Sequence, residues 1–390
     1  MNKFISQAFN IEHDFWKYLA GSIVVFLGAL VGQFPLMGAI VVQVMSDGGN
    51  IEAINESSMY SILDSNLFLF LALLSFAVAF VGLYIAVRFI HKQTMTAVAT
   101  SRLKLDWKRI WFAFFFWGIL SSGLILVDYF YLAPEDYVYN FEMQRFIILA
   151  IIAIILVPIQ TSLEEYLFRG YLMQGFGTAT KEKYFPFAFL ISFLTIPMFI
   201  ILNIKYSISY FYNGLLLLVV IAVGVVIFQI IKKSNGFESN AFHKLRNICQ
   251  RNWTPLVITS TIFGLLHIAN PEIDQLGYIL LVHYIGTGFL LGIMTLMDEG
   301  TELALGFHAA NNLFTALLVT ADWTVFQTHS ILKDITDPQY EVMDVVMPVF
   351  VMYPILLLIF AKVFKWTNWK DKLFGKIEVP KAEDYKIIGD

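Results

Sequence analysis

Glu164, Glu165 and Arg169 stand in the segment SLEEYLFRGYL, at the end of a run, FIILAIIAIILVPIQT, that otherwise reads as hydrocarbon. His267, His283 and His308 fall in three further apolar stretches. Carboxylates and imidazoles are the groups that activate water and move protons, and ionisable side chains within lipid mark functional sites by default. Glu165 and Arg169 are four residues apart, so they share a helix face and can pair. Glu164 points about 100° away from Glu165 and is left for another partner. His308 and Asn312 repeat the four-residue spacing, as do Phe263 and His267, while Asn311 is expected to face away from Asn312. Each feature has a plain structural reading. A Glu–Arg pair can be interhelical glue, Asn312 can cross-link helices, and His283 reads as a packing residue. Two carboxylates, two histidines and an amide on three segments are nonetheless the components of a hydrolytic site or an ion pathway.

The elements that carry these residues follow from composition. The chain has 390 residues, 58% hydrophobic and 14% charged, with mean hydropathy +0.69. Soluble domains carry about 25% charged residues, so most of this apolar surface must face lipid. The fold class is an all-α polytopic membrane protein. The lone Cys249 excludes an internal disulfide and a cysteine metal cluster, and nothing in the net charge of -4 points to nucleic acid. Ten spans are expected, at 17–43, 61–88, 109–131, 145–178, 184–204, 208–231, 254–271, 276–297, 301–321 and 345–364. The first apolar run is too long for a signal peptide and reads as an uncleaved span.

Charge in the loops orients this map. Loops 89–108 and 232–253 and the tail 365–390 are basic, whereas Asp47, Glu52, Glu56, Glu135, Asp136, Glu272, Asp274, Asp334, Asp337 and Glu341 fill the others. With both termini cytoplasmic, all 26 Lys and Arg except Arg145, Lys205 and Lys333 fall on the cytoplasmic side. The stretch KKSNGFESNAFHKLRNICQRN is the longest cytoplasmic connection and suits a short surface helix. Counted at 1.5 Å per residue from the cytoplasmic loops at Lys181, Arg251 and Glu302, the residues Glu164, His267 and His308 lie roughly 25, 24 and 9 Å along their helices, compatible with one cluster in the inner half of the membrane.

In chain order, EEYLFR fits EExxxR, FGLLH fits FxxxH and HAANN fits HxxxN. These motifs, with their flanks VPIQTSLEEYLFRGYL, FGLLHIANP and GTGFLLGIM, resemble the CPBP family, which includes CAAX prenyl endopeptidases and Abi-type (bacteriocin-processing or immunity) intramembrane proteases. The likeness covers about 150 to 320, interrupted by 182–253. It implies an eight-helix core to which two helices have been added, in one membrane domain. In that domain 1–143 forms an N-terminal three-helix part, 144–181 and 254–321 the motif-bearing core, 182–253 the insertion with its cytoplasmic loop, 345–364 the last helix and 365–390 a basic tail.

The resemblance implies an intramembrane protease acting near the cytoplasmic face. Glu164 would be the base that deprotonates water, assisted by His267. Glu165 and Arg169 would form a structural pair, and His308 and Asn312 would donate to the oxyanion. A zinc-dependent metalloprotease is the rival chemistry, with His267, His308 and Glu164 as ligands, and no cofactor is required by the first version. Expected partners are membrane lipid and a hydrophobic peptide or membrane-protein substrate, in the cytoplasmic membrane of a bacterium. Other classes stay open: a non-catalytic scaffold such as an immunity protein, a proton-coupled transporter using Glu164 and His267, or a catalytically dead relative. HExxH, GxSG and GxGD motifs of other intramembrane proteases do not occur.

Overall fold

The computed structural model describes residues 2–51, 54, 56–206, 210–338 and 342–380. Glu52, Glu341, Lys381 and Lys386, used above to orient the chain, lie outside the described residues, as do the start of the 208–231 segment and the end of the tail. Each of the ten apolar segments is built around a helix. These are α1 (Phe15–Ser46), α2 (Ser65–Ile85), α3 (Trp107–Val127), α4 (Met143–Glu164), α5 (Phe185–Tyr206), α6 (Tyr210–Lys233), α7 (Trp253–Leu265), α8 (Leu280–Asp298), α9 (Glu302–Leu318) and α10 (Tyr353–Val363). Among the described residues, seven helices are long and apolar enough to cross a membrane. The chain is thus an integral, multi-pass, all-α membrane protein. Of the other three segments, Trp253–Ala269 is apolar but shorter, α9 has 17 residues, and α5 spans 22 residues, of which Phe185–Ile196 is the stretch whose side chains are all described. The expected surface helix is present at Asn240–Cys249.

Exposure follows the solvent these helices meet. Phe26, Phe34, Phe89, Ile119, Ile154 and Phe193 are all exposed apolar side chains on helix faces, as hydrocarbon contact requires. Core packing concentrates in α9 against α3 and α4, α7 against α8, and α2 against α1 and α4. Small residues permit these approaches, because lipid offers no hydrophobic drive between helices and close backbone contact must supply the attraction. Gly306 on α9 is one such point: a Cβ there would run into the carbonyl oxygen of Ile110 on α3. Gly306→Ala is therefore expected to destabilise the protein by about 1–3 kcal/mol, seen as a lower unfolding midpoint in detergent.

The two ends of the bundle differ. At one end the N-terminal residues are tucked in, with Phe4 and Ile5 buried. The Asn2 Nδ2 donates to the Leu296 carbonyl (3.0 Å), and Lys372 Nζ donates to the Met297 carbonyl (2.7 Å). Arg102 spans Asp298 (2.9 Å) and Glu302 (3.1 Å), and Arg109 adds a second bond to Asp298 (2.8 Å). The N-terminus, the basic loop after α2 and residues 366–377 therefore lie at the same end. They cover the α8–α9 turn, where Asp298, Thr301 and Glu302 are buried. The opposite end carries a small sheet, β1 (Tyr137–Tyr139), β2 (Val319–Thr320) and β3 (Leu332–Asp334), with β3 central, antiparallel to β1 and parallel to β2.

That buried turn also sets the depth of His308. The helix count placed it roughly 16 Å shallower than Glu164 when Glu302 was taken as the membrane edge. Glu302 is fully buried beneath the cap, so α9 begins well inside the protein.

Candidate active site

The site is built on α4 where its hydrogen-bond pattern changes. Beyond Glu164 the helix continues without interruption through a π-helical stretch, Glu165–Leu172, and a final α-helical stretch, Met173–Ala179. A wider turn redistributes side chains around the axis, and such stretches occur frequently at functional sites. Here it follows directly on Glu164.

Glu165 and Arg169 form the expected pair at 3.1 Å, with exposures of 0% and 1%, so neither is answered by solvent. The same Glu165 Oε1 also lies 2.7 Å from His308 Nδ1. An ionised carboxylate only accepts, so Nδ1 carries the proton and donates it. Phe263 closes the group from α7, its ring centroid 3.9 Å from the Arg169 guanidinium and 6.0 Å from the His308 ring. Residues of all three motifs therefore meet around one buried carboxylate.

Glu164, offset from Glu165 around the helix, lies on the Nε2 side of the same imidazole. Gln160, one turn earlier, donates from Nε2 to Glu164 Oε1. Glu164 Oε2 is buried without a hydrogen-bond partner and lies 3.6 Å from His308 Nε2. The orientation of Gln160 is set by a chain of bonds. Trp117 Nε1 donates to Asn311 Oδ1 (3.1 Å), Asn311 Nδ2 to Asn312 Oδ1 (3.1 Å), and Asn312 Nδ2 to Gln160 Oε1 (3.2 Å). With its oxygen accepting from Asn312, Gln160 presents its amide nitrogen to Glu164. Asn311 does not face elsewhere: it and Asn312 line the same space and are bonded to each other. Angular offset on a helical wheel says little when two adjacent amides can turn toward one another.

His267 sits where α7 passes into a short 3₁₀ turn, Leu266–Ala269. Its Nδ1 lies 2.8 Å from the Phe263 carbonyl, which can only accept, so Nδ1 is protonated and Nε2 carries the lone pair in the neutral ring. Tyr284 of α8 stacks on the ring at 4.3 Å and 19°. His267 opens onto the same cavity as Glu164 and His308 without hydrogen bonding to either. This cavity has a volume of about 640 Å³ and also admits His283, Glu272 and Tyr353. His283 makes edge contact with Tyr284 (5.8 Å, 76°), in keeping with a packing role.

Sequence alone does not single out Gln160 or Tyr284, turns Asn311 away from Asn312 and places Glu272 in an acidic loop. Gln160 alone had a signal, being four residues before Glu164 on the same face.

A zinc ion would need three of these donors to converge on one point. Among the described residues, no group of three or more His, Cys, Asp or Glu side chains is arranged to hold a metal ion. Both nitrogens of His308 face glutamate carboxylates, and Nδ1 is committed to Glu165. His267, His308 and Glu164 thus do not form a three-ligand set in this arrangement.

A family model described as type II CAAX prenyl endopeptidase Rce1-like matches residues 236–314. The match takes in His267, His308 and Asn312 but not the Glu164–Arg169 motif. The uncharacterized protein YyaK of Bacillus subtilis (strain 168) is 26% identical over 375 residues, covering 95% of this chain and 98% of YyaK. No solved structure matches. Over residues 236–314 the chain is similar to the Rce1-like type II CAAX prenyl endopeptidases, in agreement with the resemblance to the CPBP family carried by its motifs.

Proposed function

We propose that the protein is an intramembrane endopeptidase that hydrolyses apolar or membrane-associated peptides through a glutamate-activated water. The observation that carries the reading is Glu164, which lines a cavity shared with two histidines, with one oxygen held by Gln160 and the other buried and unbonded. A carboxylate in that state is costly to maintain and suited to accept a proton.

In the proposed reaction Glu164 Oε2 takes a proton from water, whose oxygen attacks the peptide carbonyl. The His267 Nε2 lone pair helps hold that water. The oxyanion formed on the carbonyl oxygen is met by donors on α9. His308 supplies Nε2–H in its doubly protonated form, with Nδ1–H held by Glu165. Asn312 supplies the amide N–H not used by Gln160. Collapse breaks the C–N bond, and the proton passes from Glu164 to the leaving amine. Charge balances in this state, since Glu164 and Glu165 offset Arg169 and the His308 imidazolium. Gln160 and Asn311 are positioning residues, acting through Glu164 and Asn312.

The remaining parts of the proposal concern placement. Ten spans with both termini cytoplasmic suit the shared end of the N-terminus, the basic loops and residues 366–377. A bacterial cytoplasmic membrane suits the Bacillus relative.

The test is cleavage of a library of hydrophobic peptides by purified protein in liposomes, comparing wild type with Glu164→Ala and His267→Ala, each with and without chelator. Cleavage by wild type that both substitutions abolish supports the reading. Equal cleavage by all three overturns the assigned base, and loss on chelation overturns the metal-free route. Pure proton movement across the liposomes without cleavage supports the transporter reading instead. Within an active preparation, Gln160→Leu is expected to lower kcat about 10-fold with little change in KM, because substrate contacts survive while the base loses its orientation.

A further inference from the structure

Across the cavity from Glu164, the chain between α7 and α8 folds back inward. Asn270 starts a six-residue helix, Pro271–Leu276, on which Glu272 lines the cavity wall. Glu272 is 9% exposed. Its Oε1 accepts from the Val325 N–H at 2.8 Å, tying this turn to the loop after β2. Its Oε2 is buried with no hydrogen-bond partner, and no cation among the described residues forms an ion pair with it. The surroundings are uncharged and polar: Asn270 Nδ2 donates to the Tyr284 hydroxyl at 3.2 Å, and Tyr284 also stacks on His267. Glu272 is not used in the hydrolytic scheme, yet it opens onto the space where that scheme places the substrate.

Anchoring the Val325 loop requires one acceptor, and a glutamine would supply it without a charge. A buried carboxylate with one free oxygen costs free energy unless something positive meets it. Burial pushes the Glu272 carboxyl above its ordinary range, although backbone N–H groups, including that of Val325, oppose the shift. A cation at Oε2 would reverse the imbalance.

We propose that Glu272, with Tyr284 and Asn270 beside it, forms a subsite in this cavity for a cationic group on an otherwise apolar peptide. This names a substrate class and rests on the peptide-hydrolysis reading for its biological sense. The same chemistry is offered by a lysine side chain and by a free peptide N-terminus, and the experiment separates the two.

The test measures binding, so that it does not depend on turnover. Full-length protein carrying Glu164→Gln, in detergent, is titrated with three fluorescent apolar peptides of equal length. One is acetylated with a single internal lysine, one is acetylated with norleucine at that position, and one has norleucine and a free amine. At least one cationic peptide is expected to bind about 10- to 100-fold tighter than the neutral one, the range for a charge-assisted bond. Whichever cation is preferred identifies the source. Adding Glu272→Gln, which keeps an acceptor for Val325, is expected to bring the ratio toward one, and Glu272→Lys to favour a glutamate-bearing peptide.

Equal binding of all three peptides by the Glu272 protein overturns the inference, whether or not the substituted proteins fold. A preference that persists in Glu272→Gln overturns it as well. Cleavage by wild type is scored separately, and its absence counts against the hydrolase reading while the binding ratio still decides the subsite.

Discussion

Glu164→Gln is expected to lower the rate of peptide hydrolysis by about 10²- to 10⁴-fold, the usual contribution of a positioned general base. The glutamine keeps the shape of the side chain, and its oxygen can still accept from Gln160 Nε2. What disappears is the proton acceptor at the unbonded Oε2 position, 3.6 Å from His308 Nε2. Substrate binding should survive, so the loss should fall on kcat rather than KM. Stability should move the other way. Wild type maintains a buried carboxylate with one unsatisfied oxygen, and removing that charge is expected to leave the unfolding midpoint equal or higher. Single-turnover cleavage in liposomes together with a thermal melt in detergent would measure both. A glutamine variant with wild-type turnover would remove Glu164 from the chemistry and shift the search for a base to His267, whose Nε2 lone pair faces the same cavity.

Much of this site was readable before any coordinates because lipid penalises charge. Glu164, Glu165 and Arg169 stood out against hydrocarbon, and helical spacing alone separated the paired carboxylate from the free one. The partner of Glu165 on α9 was not readable. Spacing joins residues on one helix, whereas the 2.7 Å contact from His308 depends on how deeply the α8–α9 turn is set, which the Asp298–Arg102–Glu302 cluster and the folded N-terminus determine. Gln160 escaped notice because a neutral amide costs little enough in a helix to need no explanation. Its role becomes visible only when Asn312 is seen to fix its orientation. Glu272 was assigned to an acidic loop, and only the inward fold of its turn places it in the cavity. Helix identity was similarly legible, while length was not: α7 ends at Leu265 and passes into a tighter turn that presents His267.

Arg169→Met is expected to be the most destabilising single change in the site, by about 3–5 kcal/mol, because it strands a fully buried carboxylate. Glu165 would retain only His308 Nδ1 as a donor, and that ring would be drawn toward the uncompensated charge. Glu165→Leu strands Arg169 instead, leaving the Phe263 face at 3.9 Å as its nearest favourable contact. Removing both charges in Glu165→Leu/Arg169→Met should recover most of the lost stability, since apolar replacement of a buried ion pair is often neutral or favourable. Activity should not return with it. The double variant has no acceptor for His308 Nδ1–H, so the imidazole loses its orientation. Unfolding of the four proteins in detergent gives the coupling energy of the pair, and cleavage assays on the same samples give the catalytic consequence. Full activity in a stable double variant would reduce the Glu165–Arg169 pair to interhelical glue and take His308 out of the oxyanion role. A stable but inactive one would show that α4 retains this costly pair for the imidazole it holds in place.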